Sequence, residues 1–411
     1  MLDRQRAVVA LLEDLIRIDS SNPGLVSGAP GEAAIADYLT EWLSSRGFEC
    51  RRLEETPGRP SVVAISRGTG GGRSIMLNGH IDTVSLGSYD GDGLTPEHRN
   101  GNLYGRGAYD MKSGLAAIMI AAEAAADRPH AGDIILALVA DEEFASSGTE
   151  EVLRQYTADC AIVVEPSGLD IVTAHRGFAW FEVTIHGRAA HGSRRDLGID
   201  AIVKAGAFLT ALGQLDAELS HRSPHRMLGT GNIHASVISG GEEQSSYPAS
   251  CTIALERRTL PGETSGTVEK ELRSILDSIA VSDADFVFSI DAGLERNPFS
   301  VDPDELIVTS LIGAATQNIG AVPAVRGERF WTDCALLSDA GIPTALFGVD
   351  GGGAHAAEEW VTISSLIALT ETLDAVIGEI TTDATERGAI ASDAIARAGI
   401  QTESNSATAI T

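Results

Sequence analysis

His80 and Asp82 stand two residues apart in MLNGHIDTV, and they open a series of side chains suited to metal and proton chemistry. Asp110 follows in YGRGAYDMKSGLA, Glu142 and Glu143 in LVADEEFASSG, Glu165 in IVVEPSG and His355 in GVDGGGAH. Imidazoles and carboxylates bind divalent cations and carry protons near neutral pH. Gathered in one cleft, so many acids repel one another and resist ionisation unless cations compensate. The mixture suits zinc, cobalt or manganese better than calcium or magnesium. Taken singly, each has an ordinary reading. His80 is a loop histidine, Glu142 and Glu143 begin a solvated helix, and Asp110 caps the helix that follows it. Only their joint placement argues for a site.

That placement is set by predicted strands. His80 and Asp82 follow the apolar run Ile75–Gly79, Glu142 and Glu143 follow Ile134–Ala140, Glu165 ends Ala161–Val164, and His355 follows Thr344–Phe347. In open α/β sheets, ligands bind outside the carboxyl ends of the strands. Helical spacing at 33–46 and 111–126 separates strands at 62–66, 75–79 and 134–140. The expected fold class is therefore α/β, a mixed sheet flanked by helices. The Gly68–Gly72 run reads as a hairpin turn, since no Gly-Lys-Ser/Thr follows it to make a phosphate loop.

The middle of the chain has a different rhythm. Strand, helix, strand, strand, helix, strand at 178–187, 199–220, 232–239, 251–258, 268–279 and 286–290 is the order of a ferredoxin-like α+β unit. The expected organisation is a catalytic domain of residues 1–176 and 293–385 interrupted by a module at 177–292. The Ala/Ser/Thr-rich residues 386–411 form an expected frayed tail.

Composition narrows the partners. The 411 residues carry 30 Lys+Arg against 58 Asp+Glu, a net charge of -28, which opposes binding to nucleic acid or an anionic membrane. The 43% hydrophobic content suffices for sizeable cores. Cys50, Cys160, Cys251 and Cys334 form no C-x-x-C pair and read as reduced thiols of a cytoplasmic protein. The first residues have amphipathic-helix spacing rather than a signal peptide's pattern, and Gly114–Ala126 is too short to span a bilayer.

His80-x-Asp82, Gly-Arg-Gly-x-x-Asp110-Met-Lys-x-Gly, Glu142-Glu143, Glu165-Pro166 and Gly-Ala-His355 together resemble the motif set of the M20 metallopeptidases. That family includes acetylornithine deacetylase, succinyl-diaminopimelate desuccinylase, aminoacylase and the glutamate carboxypeptidases. The resemblance runs in order from about Leu11 to Ile377. It implies a zinc-dependent exopeptidase-like catalytic domain and two divalent ions per chain, zinc foremost, with cobalt or manganese as alternatives. His80 and Glu165 would hold one ion, Glu143 and His355 the other, with Asp110 bridging. Asp82 would orient His80, and Glu142 would take a proton from the attacking water and pass it to the leaving amine.

The same resemblance makes the inserted module a lid and dimerisation domain. His191, in GRAAHGS, would stabilise the oxyanion in the partner subunit of a homodimer, and Arg258, in LERRTLPGE, would grip the substrate carboxylate. Two stretches depart from the family pattern, Ser245-Ser246-Tyr247-Pro248 and Val349-Asp350, and both bear on substrate choice. The expected reaction is removal of an acyl group from a small N-acyl amino acid. Alternatives are a metallo-dipeptidase or carboxypeptidase, an N-carbamoyl amide hydrolase, and a non-catalytic small-molecule binder. Glu142 argues against the binder, which has no use for a base.

Overall fold

The computed structural model describes residues 2–382. The expected tail at 386–411 lies outside the described residues. The chain divides into two compact units. One runs to Ile171 and includes Val301–Val325 and the chain from Leu336; the other is Val172–Ser300 with Arg326–Ala335.

The backbone of the first unit is part of a nine-stranded mixed sheet. Across it lie, in order, Glu49–Leu53, Ser61–Ser66, Ile134–Val139, Ile75–His80, Cys160–Val163 and Thr344–Leu346. The last four run parallel, so their carboxyl ends share one edge. Every residue of Ile134–Val139 (IILALV) and of Ile75–His80 (IMLNGH) is buried, as parallel strands covered on both faces require. Helix Lys112–Ala126 packs on helices Leu2–Ile16 and Ile363–Thr381. Its small residues (KSGLAAIMIAAEAAA) let it sit almost wholly inside the core.

The Gly68–Gly72 run is not a hairpin. The strands on either side of it, Ser61–Ser66 and Ile75–His80, are not partners. Ile134–Val139 lies between them, antiparallel to the first and parallel to the second. An apolar strand able to pair on both edges takes the central position, and the glycine loop instead runs along residues 130–133. Gly68 N–H donates to Asp133 Oδ1 at 2.9 Å and Thr69 N–H to the His130 carbonyl at 3.0 Å.

The second unit has the expected βαββαβ order. Its antiparallel sheet runs Asn232–Gly240, Ser250–Thr259, Gly177–His186, Val287–Arg296. Ala179, Phe181, Val183 and Ile185 alternate inward and are buried with Phe208, Leu212, Leu272 and Leu276 of helices Ala201–His221 and Ser265–Ser282. The last strand reaches Arg296, beyond the apolar run that marks it in the sequence, because its outer residues face solvent and lose the alternation.

His175 of this unit is buried against the rings of Phe299 and Trp331, with centroids 5.2 and 6.2 Å away. Burial lowers its pKa from 6.5 to about 4. The unfolded chain therefore binds a proton below about pH 6.5 that the folded one refuses. This contribution to stability is intact above that pH and is lost as pH falls toward 4. From about pH 7 to about pH 5 the loss should reach about 2 kcal/mol. Urea unfolding should show that His175→Phe loses less stability over this interval than wild type by about that amount. Equal losses would contradict the assignment.

Candidate metal centre

Three parallel strands, Ile75–His80, Ile134–Val139 and Cys160–Val163, run into residues of the site at one edge, and the segments carrying Asp110 and His355 complete it. His80 ends its strand and is 1% exposed; Asp82 lies just beyond and is 0% exposed. The turn after Ile134–Val139 carries Glu142 and Glu143, and Glu165 follows Cys160–Val163. His355 follows the short strand Gly351–Gly352 and takes a positive φ of 62°. Asp110 lies two residues before helix Lys112–Ala126, whose N-cap position is Met111 rather than Asp110, and its peptide to Met111 is cis.

The side chains converge. His80 Nε2 lies 3.2 Å from Asp110 Oδ1 and 3.4 Å from Glu165 Oε1. His355 Nε2 lies 3.4 Å from Asp110 Oδ2 and 3.0 Å from Glu143 Oε2. Each oxygen of Asp110 thus faces a different imidazole. Ligand atoms of His80, Asp110 and Glu143 lie within 4.8 Å of one another, as do those of His80, Glu142 and Glu165.

Glycines fix Glu165 from two sides. A Cβ on Gly114 would stand 2.5 Å from the Val164 carbonyl oxygen, and one on Gly348 2.0 Å from that of Glu165. No other residue fits at either point of backbone approach.

Asp82 touches both halves of the centre. His80 Nδ1 lies 3.0 Å from the Asp82 carbonyl and 3.5 Å from its Oδ1. The Asp82 carboxylate also accepts the N–H of Glu142 at 3.2 Å and that of Glu143 at 3.2 Å. The Asn22 amide donates to Asp82 at 2.6 Å and to Asp141 at 3.2 Å. Arg59 donates to Asp141 at 2.7 Å and to Glu32 at 2.6 Å, offsetting two buried acids.

Electrostatics state what the cluster needs. Burial opposes charge on His80, but Glu165, Asp110 and Asp82 outweigh it and push the imidazole well above its usual range. Contacts with Asp110 and Glu143 push His355 up to about 10. Burial works to raise Asp110, yet bonds from both imidazoles hold it below the ordinary carboxylate range. Glu143 is raised by burial and by the neighbouring Asp110 charge. The site demands positive charge, and either protons on the imidazoles or cations can supply it. Glu143 Oε1 is buried with no hydrogen-bond partner, a lone pair directed at nothing in the chain. Mixed imidazole and carboxylate donors, with that orphaned oxygen, fit divalent transition metals.

His191 and Arg258 belong to the second unit. His191 is on an exposed turn, its Nδ1 accepting from Ser193 N–H at 3.2 Å. Arg258 Nε donates to Glu256 Oε1 at 2.8 Å, and its guanidinium lies 5.4 Å from the Phe178 ring centre. Its neighbour Arg257 is the buried one, paired with Glu263 at 2.8 Å.

The sequence reading passed over Asn22, Arg106 and Glu359. Arg106 stood inside a quoted motif. Only the structure shows that Arg106 is buried and paired with Glu359, at 2.9 Å and four residues beyond His355.

The sequence pattern described as peptidase family M20/M25/M40 matches residues 76–379. The chain is 29% identical over 405 residues to N-formyl-4-amino-5-aminomethyl-2-methylpyrimidine deformylase of Bacillus subtilis, covering 89% of this chain and 94% of that one. It is 28% identical over 382 residues to acetylornithine deacetylase of Myxococcus xanthus, covering 89% and 96%. Among solved structures it is similar to aminopeptidase PepT of Bacillus cereus, with a TM-score of 0.75, 20% identity and coverage of 92% and 98%. A dinuclear metal-binding M20 peptidase of B. subtilis, YXEP, matches with a TM-score of 0.70, 15% identity and coverage of 93% and 99%. The family pattern spans well over half of the chain, including His80, Asp110, the Glu142–Glu143 pair, Glu165 and His355: the chain belongs to peptidase family M20/M25/M40, a family of metallohydrolases of amide and peptide bonds.

Proposed function

We propose that this chain removes an acyl group from small N-acyl amino acids, using two divalent cations with zinc foremost and Glu142 as general base. The observation that carries the reading is Asp110 set between His80 and His355, one carboxylate oxygen facing each. His80 and Glu165 would hold one ion, Glu143 and His355 the other, with Asp110 shared. When bound, such ions polarise the scissile carbonyl and make water a better nucleophile at neutral pH.

The chain's own residues supply the rest. Asp82 holds the His80 ring by Nδ1 and the Glu142–Glu143 turn by its N–H groups. Glu142, adjacent to a ligand but half-buried, takes the proton from the attacking water and returns it to the leaving amine. Arg258 receives the substrate carboxylate, exchanging its bond to Glu256 for a forked pair. His191 donates to the oxyanion in a partner subunit. The lid supports that pairing through Ile202, Val203, Val237 and Ile238, which are 45, 71, 63 and 52% exposed on or beside an edge strand.

Curated relatives named as a deformylase, a deacetylase and desuccinylases favour acyl removal over peptide cleavage. Metal-reconstituted protein of established oligomeric state should therefore be offered N-acetylmethionine, its amide, an N-succinyl amino acid, an N-carbamoyl amino acid and a dipeptide. Acylated acids should turn over fastest and the amide should suffer in KM. A dipeptide turned over fastest would instead establish the dipeptidase reading. Metal binding without turnover of any member would leave a binding protein.

A further inference from the structure

Glu359 is a buried acid at the edge of the metal centre, 1% exposed. Its carboxylate is saturated. Oε1 accepts the backbone N–H of Tyr109 and of Asp110, each at 2.9 Å. Oε2 accepts Arg106 Nη1 at 2.9 Å and the N–H of Gly107 at 3.0 Å. A carboxylate offers about four lone-pair sites, so Glu359 has none left for a metal. Three of its four donors are consecutive or near-consecutive backbone N–H groups, a concave nest that calls for an anion. Gly107, with φ of 78°, lets the chain curl around it.

The same residue joins two ligand-bearing segments. It lies four positions beyond His355 in sequence, while its side chain grips the backbone of Asp110. The link is reinforced on both sides. Gly105 N–H donates to the Glu359 carbonyl at 3.1 Å, Arg106 Nη2 donates to the Ala356 carbonyl at 3.1 Å, and Trp360 pairs with Tyr104. Asp110 is thereby held by its N–H on one side and directs its two oxygens to the two imidazoles on the other.

We infer that Glu359 is a positioning residue that holds Asp110 with one oxygen toward each imidazole and locks the His355 segment to it, so that the two cation sites would form or fail together. This rests on the paired-cation reading above. Glu359→Gln keeps size but weakens the cradle, because an amide has one acceptor oxygen and its NH2 faces donors. Outer-shell partners of this kind alter metal affinity by roughly 10- to 100-fold.

The experiment titrates zinc and cobalt into metal-free wild type, Glu359→Gln and, as control, Glu358→Gln, whose exposed side chain pairs with Arg99. Circular dichroism at the titration temperature establishes that each is folded, and the visible spectrum of bound cobalt reports ligand geometry. The expected result is a roughly 10- to 100-fold loss of affinity for both ions in Glu359→Gln, with a changed cobalt spectrum, and no change in Glu358→Gln. A lowered melting temperature with wild-type affinities and spectrum would overturn the inference and leave Glu359 a purely structural acid. Loss of only one ion would overturn the coupling. Wild type binding no paired ions would defeat the underlying reading instead. Should Glu359→Gln not fold, Arg106→Lys is measured. It keeps the charge but removes the guanidinium that donates to Glu359 Oε2 and the Ala356 carbonyl, so the link between the Asp110 and His355 segments weakens. The same two-ion loss is expected, and wild-type affinities in a folded Arg106→Lys would overturn the inference.

Discussion

Glu142→Gln should retain fold and metal while kcat falls roughly 100- to 10,000-fold, the range for a positioned base. The substitution keeps the shape and the 3.2 Å backbone N–H bond to Asp82 Oδ1. It removes only the group that accepts a proton from water. Its neighbour bears the contrasting load: Glu143 Oε2 lies 3.0 Å from His355 Nε2 and its other oxygen is buried and unpartnered. Loss at Glu143 should therefore appear first in metal affinity. Because Glu142 also lies near His80 and Glu165, metal must be measured alongside turnover. A Glu142→Gln protein with depleted metal would make Glu142 a ligand, and near-native turnover would remove it from the chemistry.

Asp110→Ala should reduce affinity for both ions together. The loss should exceed the roughly 10- to 100-fold typical of outer-shell partners, because a shared ligand disappears. His80 and His355 each lose the carboxylate oxygen that lies 3.2 or 3.4 Å away. The contrast with Glu165→Ala is diagnostic, since only the ion shared with His80 should weaken there. Calorimetric titration of the metal-free proteins checks both. Selective loss of one ion in Asp110→Ala would place Asp110 in a single site.

Most of this arrangement is legible in the chain because its cause is local. An apolar strand buried on both faces is readable in IILALV, and an acid just past its end has only one sheet edge to occupy. The βαββαβ order is likewise carried by alternation along Gly177–His186 and helical spacing at Val268, Leu272 and Leu276. Strand order is a different matter. Nothing near Gly68–Gly72 encodes that Ile134–Val139, some sixty residues later, separates the strands on either side. Glu359 escaped for the same reason: its partners at 106–110 are about 250 residues away. The resemblance singles out Arg258 for a substrate carboxylate; its bond to Glu256 is local, two residues back on the same strand, but its place beside Phe178 depends on cross-strand register.

The most direct test is the number of divalent ions per chain at saturation, by elemental analysis, with hydrolysis of N-acetylmethionine followed as metal is restored. The account predicts about two ions, activity that rises with their addition, and neither ion retained tightly by Asp110→Ala. Full activity with one ion or none per chain would contradict it.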